Sequence, residues 1–338
     1  MTDAPEPRLK HYPVTFFAIV MGVMGLSLAF HGAAPLYKPA AAAGEIVLWI
    51  GIGVAALIAL GYLAKAIRYP GMVAWEWNHP VRLAFFPTIT ISLLLMATAL
   101  SSHNEPLARA IWHVGMVGQG LLTLAVINGW ISHRAFDVGH LTPAWFIPAA
   151  GNVIVPIAGA DFGYVETSWA FFAVGMMFWG VLLTLVMNRL VFHDPIPGRL
   201  FPTMVILIAP PSLAFLAYVK LSGGVVDNFA RVLIYAGFFF AALVLAELPK
   251  LVKLPFAISW WALSFPLTAL AAASFLFARL EQSAFHQAVG SVVLVVAVGV
   301  VLGLIWRTGL AIARHEICQP EYAAPKKRAG ANPGPIAT

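Results

Sequence analysis

The chain has 338 residues, of which 61% are hydrophobic and only 10% are charged. A soluble domain carries about 25% charged residues, so this composition excludes a soluble globular protein and predicts an integral membrane protein with several spans. The formal net charge of +6 is interpreted as a sign of membrane topology rather than of nucleic-acid binding.

Ten apolar segments follow one another along the chain, each near or above the ~20 residues that a helix needs to cross a bilayer. We expect them at 13–31, 46–67, 81–100, 107–132, 142–160, 168–192, 200–220, 228–247, 255–279 and 284–312. They form one transmembrane domain, 13–315, between an N-terminal tail, 1–12, and a disordered C-terminal tail, 316–338. A cleavable signal peptide is the alternative for the first segment, although its apolar run is longer than usual.

The basic residues predict the orientation of the chain in the membrane. An even number of spans places both termini on one side, and only five of the 20 Lys and Arg fall on the other: Lys38, Arg109, Lys220, Arg231 and Arg279. Because cytoplasmic segments are enriched in Lys and Arg, both termini are predicted to be cytoplasmic, in a bacterial inner membrane. The single Cys318 lies in the C-terminal tail, so no disulfide forms within one chain.

Proline deep inside a span occurs only in odd-numbered spans. These residues are Pro87 in the third span, Pro148 and Pro156 in the fifth, Pro210 and Pro211 in the seventh, and Pro266 in the ninth. The first span has Gly22 and Gly25 at matching depth, and the fifth adds Gly151. Proline breaks or bends a helix, and broken backbone in a bilayer is tolerated where it faces protein or a water-filled cavity. The pattern predicts five kinked inner helices around a pathway and five unbroken outer helices, although proline and glycine are common in membrane helices generally.

Phe265 precedes the helix-breaking Pro266 near the predicted centre of the bilayer. A ring on a distorted turn can project into the pathway as a steric plug. The alternative is that Phe265 packs between helices, as most of the 23 Phe residues must.

Five short motifs make the chain resemble the tellurite-resistance/dicarboxylate transporter family, which includes the slow anion channels of plant guard cells. They are FFAIVMGVMGL at 16–26, HPVRLAFF at 79–86, LTPAWFIP at 141–148, APP at 209–211 and WALSFP at 261–266. Their order and spacing carry the resemblance, because no single motif is diagnostic. The resemblance covers nearly the whole chain except the C-terminal tail.

The resemblance implies an all-α fold of ten transmembrane helices, arranged as five hairpins with quasi-fivefold symmetry around a central pore. It also implies a homotrimer, and an aromatic residue in the ninth helix that occludes the pore; Phe265 occupies that position here. The expected function is an anion channel or uniporter for small inorganic or carboxylate anions. The alternative is a secondary carrier or exporter of dicarboxylate, sulfite or tellurite.

No Lys, Arg, Asp or Glu falls at the predicted midplane of any span. Since intramembrane ionisable groups are typical of proton relays and coupled carriers, their absence disfavours a pump-like mechanism. The positive ends of half-helices at the breaks are expected to stabilise the anion. Further candidate contacts are the hydroxyls of Ser27, Thr88, Ser212 and Ser264, together with Arg82 at the cytoplasmic mouth. The alternatives are hydrogen bonds back to the same helix for the hydroxyls and a membrane-interface anchor for Arg82.

Two other classes of function find little support. The ten histidines have no metal-ligand spacing, so no metal and no haem or other cofactor is predicted. An enzyme would need a convergent acid, base or nucleophile, and the polar groups at depth are hydroxyls and amides. Asn152, beside Gly151, is a candidate for the pathway, but a hydrogen bond between helices is its alternative role.

Overall fold

The computed structural model of the protein describes residues 7–132 and 136–319, and every regular element in them is helical. The predicted all-α class is therefore confirmed. The α-helices are α1 Phe17–Ala33, α2 Pro39–Arg68, α3 Pro70–Asn78, α4 Pro87–Leu100, α5 Glu105–Ser132, α6 Phe146–Gly159, α7 Val165–Phe192, α8 Ala209–Leu221, α9 Asn228–Leu251, α10 Ser264–Glu281 and α11 Ala284–Ala313.

Nine helical stretches within the described ranges are long and apolar enough to cross a membrane. They correspond to nine of the ten predicted spans. The fifth prediction, 142–160, corresponds to a shorter apolar helix, Pro143–Gly159. In the predicted N-terminal tail, Arg8–His11 form a short 3-10 turn. The predicted C-terminal tail, 316–338, is described only as far as residue 319.

Each odd-numbered span begins as a 3-10 segment and continues as an α-helix. The 3-10 segments are Val14–Phe16, Leu83–Phe85, Pro143–Trp145, Phe201–Ile208 and Ile258–Leu263. The prolines mark these junctions, since Pro87 is the first residue of α4 and Pro210 the second of α8. The first turn of an α-helix has no helical acceptor for its N–H groups, so proline is tolerated there. Pro156 alone among the predicted deep prolines lies well inside an α-helix, α6.

Burial alternates along the chain in the same way. Four odd-numbered spans are long enough to cross a membrane, and 67% to 78% of an apolar 18-residue window in each of them is buried. In the even-numbered spans the buried share is only 22% to 28%. The even-numbered spans expose large apolar side chains such as Leu57, Leu121 and Phe239, as expected of surfaces that meet lipid. We call α1, α4, α6, α8 and α10, each with its preceding 3-10 segment, the inner spans.

Each inner span packs against two other inner spans and against the long helix that follows it. The inner contacts run from α1 to α4, α6, α8, α10 and back to α1. Helices α1 and α10 run parallel to each other, since Gly22 lies beside Ser264 and Gly32 beside Ala272. We call the end where the inner spans begin the near end, and the end where they finish the far end.

Candidate functional site

Two cavities lie on either side of Phe265. The larger has a volume of about 180 Å³ and the smaller about 40 Å³. Of the residues that the structure describes, Phe265 is the one that lines both. All five inner spans contribute to each cavity: Gly25, Leu95, Ile157, Leu213 and Thr268 to the larger, and Ala18, Thr88, Ile147, Ala209 and Pro266 to the smaller. The ring of Phe265 therefore separates two spaces enclosed by the same five segments.

Phe265 is the second residue of α10, and only 7% of its surface is exposed. A Cβ added to Gly25 would lie 2.9 Å from its Cδ2 and 2.4 Å from the Oγ1 of Thr268. Side chains do not approach so closely, so α10 packs on α1 at a position where only glycine fits. Gly25 thereby sets how far the Phe265 ring extends toward α1.

Gly22 marks a second close approach of α1 to α10. A Cβ there would lie 2.2 Å from the Oγ of Ser264, and Gly22 lines neither cavity. This close approach explains the glycine, and a place for Gly22 on the pathway stays a prediction.

Most of the predicted hydroxyl contacts are turned away from the cavities. The Thr88 hydroxyl donates to the Phe85 carbonyl at 2.6 Å, and the Ser212 hydroxyl donates to the Ile208 carbonyl at 2.8 Å. The Ser264 hydroxyl donates to the Trp261 carbonyl at 2.7 Å. The Ser27 hydroxyl donates to the Gly44 carbonyl of α2 at 2.9 Å. Of these four only Thr88 lines one of the two cavities. A hydrogen bond back to the same span therefore describes Thr88, Ser212 and Ser264, whereas Ser27 bonds to the backbone of another helix, α2.

Two threonines that the sequence analysis did not single out line the larger cavity. Thr98 and Thr268 lie beyond the breaks of α4 and α10, and they donate to the carbonyls of Leu94 and Phe265 at 2.8 Å each. Their signal in the sequence is a hydroxyl that follows the break on an inner span: Thr268 comes two residues after Pro266, and Thr98 lies near the end of α4.

The polar residues of α6 face α5. The Asn152 amide donates to Thr123 Oγ1 at 2.9 Å and to the Pro148 carbonyl at 2.8 Å, and Gln119 Nε2 donates to the same carbonyl at 3.1 Å. A Cβ on Gly151 would lie 2.3 Å from that Gln119 nitrogen. Asn152 and Gly151 therefore lie at the contact between α5 and α6, the alternative role named for Asn152, and their place on the pathway stays a prediction.

The predicted prolines shape the inner spans more than they line them. Pro266 lines the smaller cavity, whereas Pro87, Pro148, Pro156, Pro210 and Pro211 are buried and line neither cavity. Pro87, Pro148, Pro210 and Pro211 lie in the first turns of their α-helices, where the 3-10 segment changes to α-helix, whereas Pro156 lies inside α6.

The breaks leave few backbone donors free. The first α-helical N–H groups donate to carbonyls of the preceding 3-10 turn. The Phe17 N–H donates to the Val14 carbonyl and the Phe146 N–H to the Pro143 carbonyl. In the same way, the Ala209 N–H donates to the Ile206 carbonyl and the Ser264 N–H to the Trp261 carbonyl. The expectation that half-helix ends supply free N–H groups to an anion is thus not met at these four positions.

Arg82 belongs to a buried ionic cluster. Its Nη1 donates to Glu76 Oε1 at 2.6 Å, and Lys65 Nζ donates to Glu76 Oε2, also at 2.6 Å. Glu76 has no exposed surface and also accepts from the Tyr62 hydroxyl and the Val14 N–H. The cluster ties the starts of the first two inner spans to α2 and α3, and a contact of Arg82 with anions at the mouth stays a prediction. Sequence reasoning missed Glu76 because α3 lies between two predicted spans.

Within the described residues, no group of three or more His, Cys, Asp or Glu is placed to hold a metal ion. The two cavities offer apolar walls, the Phe265 ring, the three threonines Thr88, Thr98 and Thr268, and, in the larger cavity, Lys220 and Arg279.

Two apolar cavities that share one aromatic wall and are lined by buried helices are typical of membrane channels and transporters. Residues 11–309 match the family of voltage-dependent anion channels, SLAC1, and the chain belongs to this family. The resemblance noted in the sequence is thereby confirmed.

The chain is similar to plant and prokaryotic proteins. It is 28% identical to the S-type anion channel SLAH3 of Arabidopsis thaliana, over 90% of this chain and 49% of that protein. It is 29% identical to the tellurite resistance protein TehA homolog of Haemophilus influenzae, over 77% of this chain and 79% of that protein. An uncharacterized transporter of Methanocaldococcus jannaschii, MJ0576, is 25% identical over 86% of this chain and 91% of that protein. The chain spans about half the length of the plant channel SLAH3.

Proposed function

We propose that the protein is an anion channel or uniporter whose pore runs between the five inner spans. The closed cycle of contacts among these spans supports a ring of five helix pairs with quasi-fivefold symmetry. The lining of both cavities by all five spans supports a pathway along the axis of that ring. In this proposal the near end and both termini are cytoplasmic, the membrane is a bacterial inner membrane, and three copies form a homotrimer.

The observation that carries the proposal is that Phe265 alone lines both cavities. Removing the ring would join the two spaces into one path. The gate is therefore a single aromatic side chain, whose rotation about two torsions opens the pore without moving a helix.

The walls of the pore favour a channel over a proton-coupled carrier. The residues that line the smaller cavity carry no ionisable side chain. A coupled carrier usually places such a group beside its substrate site. Without strong ligands an anion binds weakly, and weak binding allows rapid passage. Small inorganic or carboxylate anions that lose water readily are the expected permeant species.

Purified protein reconstituted into planar bilayers tests the gate. We expect Phe265→Ala to raise the anion current strongly at equal protein density. Phe275→Ala is the matched control, because Phe275 is a buried phenylalanine on α10 that lines neither cavity. An unchanged current in Phe265→Ala, with normal expression and assembly, would contradict the gate assignment.

Reversal potentials in chloride, nitrate and malate gradients separate a channel from a carrier. In a channel, the reversal potential depends on the anion gradient alone. A secondary carrier of dicarboxylate, sulfite or tellurite would instead show a reversal potential that shifts with the gradient of a coupled ion.

A further inference from the structure

We infer that the far-end mouth of the larger cavity is a capture site for small anions, in which Arg279 makes the principal contact. This inference rests on the proposed function, since it assigns to the pore its point of anion entry or exit. It goes beyond that function by naming the charge that acts on the anion outside the narrow part of the pathway.

One face of α10 lines the larger cavity from Phe265 to the far-end mouth. The lining residues on this face follow each other at intervals of three or four and are Phe265, Ala269, Ala272, Leu276 and Arg279. At a rise of 1.5 Å per residue, Arg279 lies roughly 21 Å from Phe265 along the helix. The stripe therefore ends in a guanidinium at the far end of the bundle.

The lining of this cavity contains two ionisable side chains, Lys220 and Arg279. The Lys220 ammonium pairs with Asp161 at 2.6 Å, which offsets its charge. Within residues 7–132 and 136–319, Arg279 has no carboxylate within 4 Å. Arg109 and Arg231, at the same end, pair with Glu105 and Glu281. Arg279 thus keeps its positive charge and its donors available at the cavity mouth.

An uncompensated positive charge at the mouth of an apolar cavity raises the local concentration of anions. Its planar set of N–H donors suits chloride and also planar anions such as nitrate, which it can contact through two donors. Solvent ions screen the charge over about 8 Å at physiological ionic strength, far less than the distance to Phe265. Arg279 therefore acts on anion capture at the mouth and leaves the barrier at the gate unchanged.

The test uses the whole protein in planar bilayers, in its native form and with Phe265→Ala as an open background. Chloride or nitrate is varied on one side at a time. We expect Arg279→Gln to raise the concentration for half-maximal current by about two- to five-fold, the effect of one exposed charge. The saturating current should not change, the effect should appear only for anions added at the far end, and high salt should abolish it. Arg279→Lys should restore most of the capture.

Lys38→Gln is the matched control, because it removes one exposed positive charge from the same end without touching the cavity. If Arg279→Gln and Lys38→Gln behave alike, the capture site is overturned while the channel stands. If no variant passes anions, the channel proposal fails, and chloride NMR line broadening then decides the site. Broadening that Arg279→Gln removes and Lys38→Gln keeps would support the site, and equal broadening in both variants would overturn it.

Discussion

Gly25 and Phe265 are in direct contact, and a single methyl group on Gly25 would lie 2.9 Å from Cδ2 of the ring. The ring and the neighbouring Thr268 must then shift, at a cost of about 1 to 3 kcal/mol for such overpacking. We expect Gly25→Ala to displace Phe265 from its position between the cavities. The basal anion current in bilayers should rise, by less than in Phe265→Ala.

Gly32→Ala is the control for this change. Gly32 also lies on α1 and lines the larger cavity, but the nearest atom to its added Cβ is 3.6 Å away, an ordinary contact. Its current should match that of the native protein. The double variant Gly25→Ala with Phe265→Ala should conduct no better than Phe265→Ala alone. An additive increase would show that Gly25 acts through something other than the ring.

Glu76 pairs with the buried Lys65 and the partly buried Arg82 at the near end. Glu76→Gln keeps the shape of the side chain but removes the carboxylate that pairs with the buried Lys65. Breaking a buried ion pair in this way costs about 3 to 5 kcal/mol. We expect a clear fall in the thermal unfolding temperature of the detergent-solubilised protein. Glu105→Gln, which breaks an exposed pair with Arg109, should change it little, and equal effects of the two variants would refute the role of the cluster.

Asp227 predicts a pH dependence at the far end, in the loop before α9. The Tyr218 hydroxyl donates to its carboxylate at 2.5 Å and the Ala230 N–H at 2.9 Å, and these bonds hold the pKa of Asp227 below its ordinary value. A lowered pKa means that the charged form stabilises the fold above the unfolded pKa. That contribution disappears as the pH falls through the folded pKa.

Asp227→Asn keeps a helix-capping side chain but removes the charge. Its unfolding temperature should lie below that of the native protein at neutral pH, and the difference should shrink below about pH 4. A difference that stays constant down to the lowest pH measured would show that the charge of Asp227 does not stabilise the fold.

Cys318 is the single cysteine of the chain, so its labelling reports on one site. Burial raises the pKa of its thiol, an effect that the nearby Arg8 and Lys65 partly oppose. Because the thiolate is the reactive form, iodoacetamide should modify Cys318 more slowly in the folded protein than in denaturant at neutral pH. The rate should continue to rise with pH above the range where an ordinary thiol levels off. Equal rates in the folded and denatured protein would contradict the burial of this thiol.

Properties that depend on local composition were accessible from the sequence. The apolar spans, the all-helical class and the family follow from hydrophobic stretches and short motifs at known spacing. The alternation of proline between successive spans also anticipated which helices are buried, because broken backbone must be kept away from lipid. Of the ten predicted spans, the fifth corresponds to the shortest apolar helix, Pro143–Gly159.

The direction in which a side chain points was not accessible in the same way. Ser27 and Ser212 lie on inner helices at suitable depth, yet Ser27 bonds to α2 and Ser212 to the backbone of its own span, beside Gly237 of α9. Asn152 likewise faces α5. An inner helix is buried on every side, so its sequence carries no polar stripe that marks the face toward the axis.

The sequence by itself determined that the chain is a helical membrane protein of the anion-channel family with alternating broken and unbroken spans, because hydropathy and proline act through the local backbone. The tertiary structure decided which residues line the two cavities, since that depends on helix rotation and on close approaches such as Gly25 against Phe265. It also decided that Arg82 is paired within a buried cluster while Arg279 stands without a carboxylate among the described residues. Charge pairing joins residues far apart in the chain, and only the packed fold brings them together.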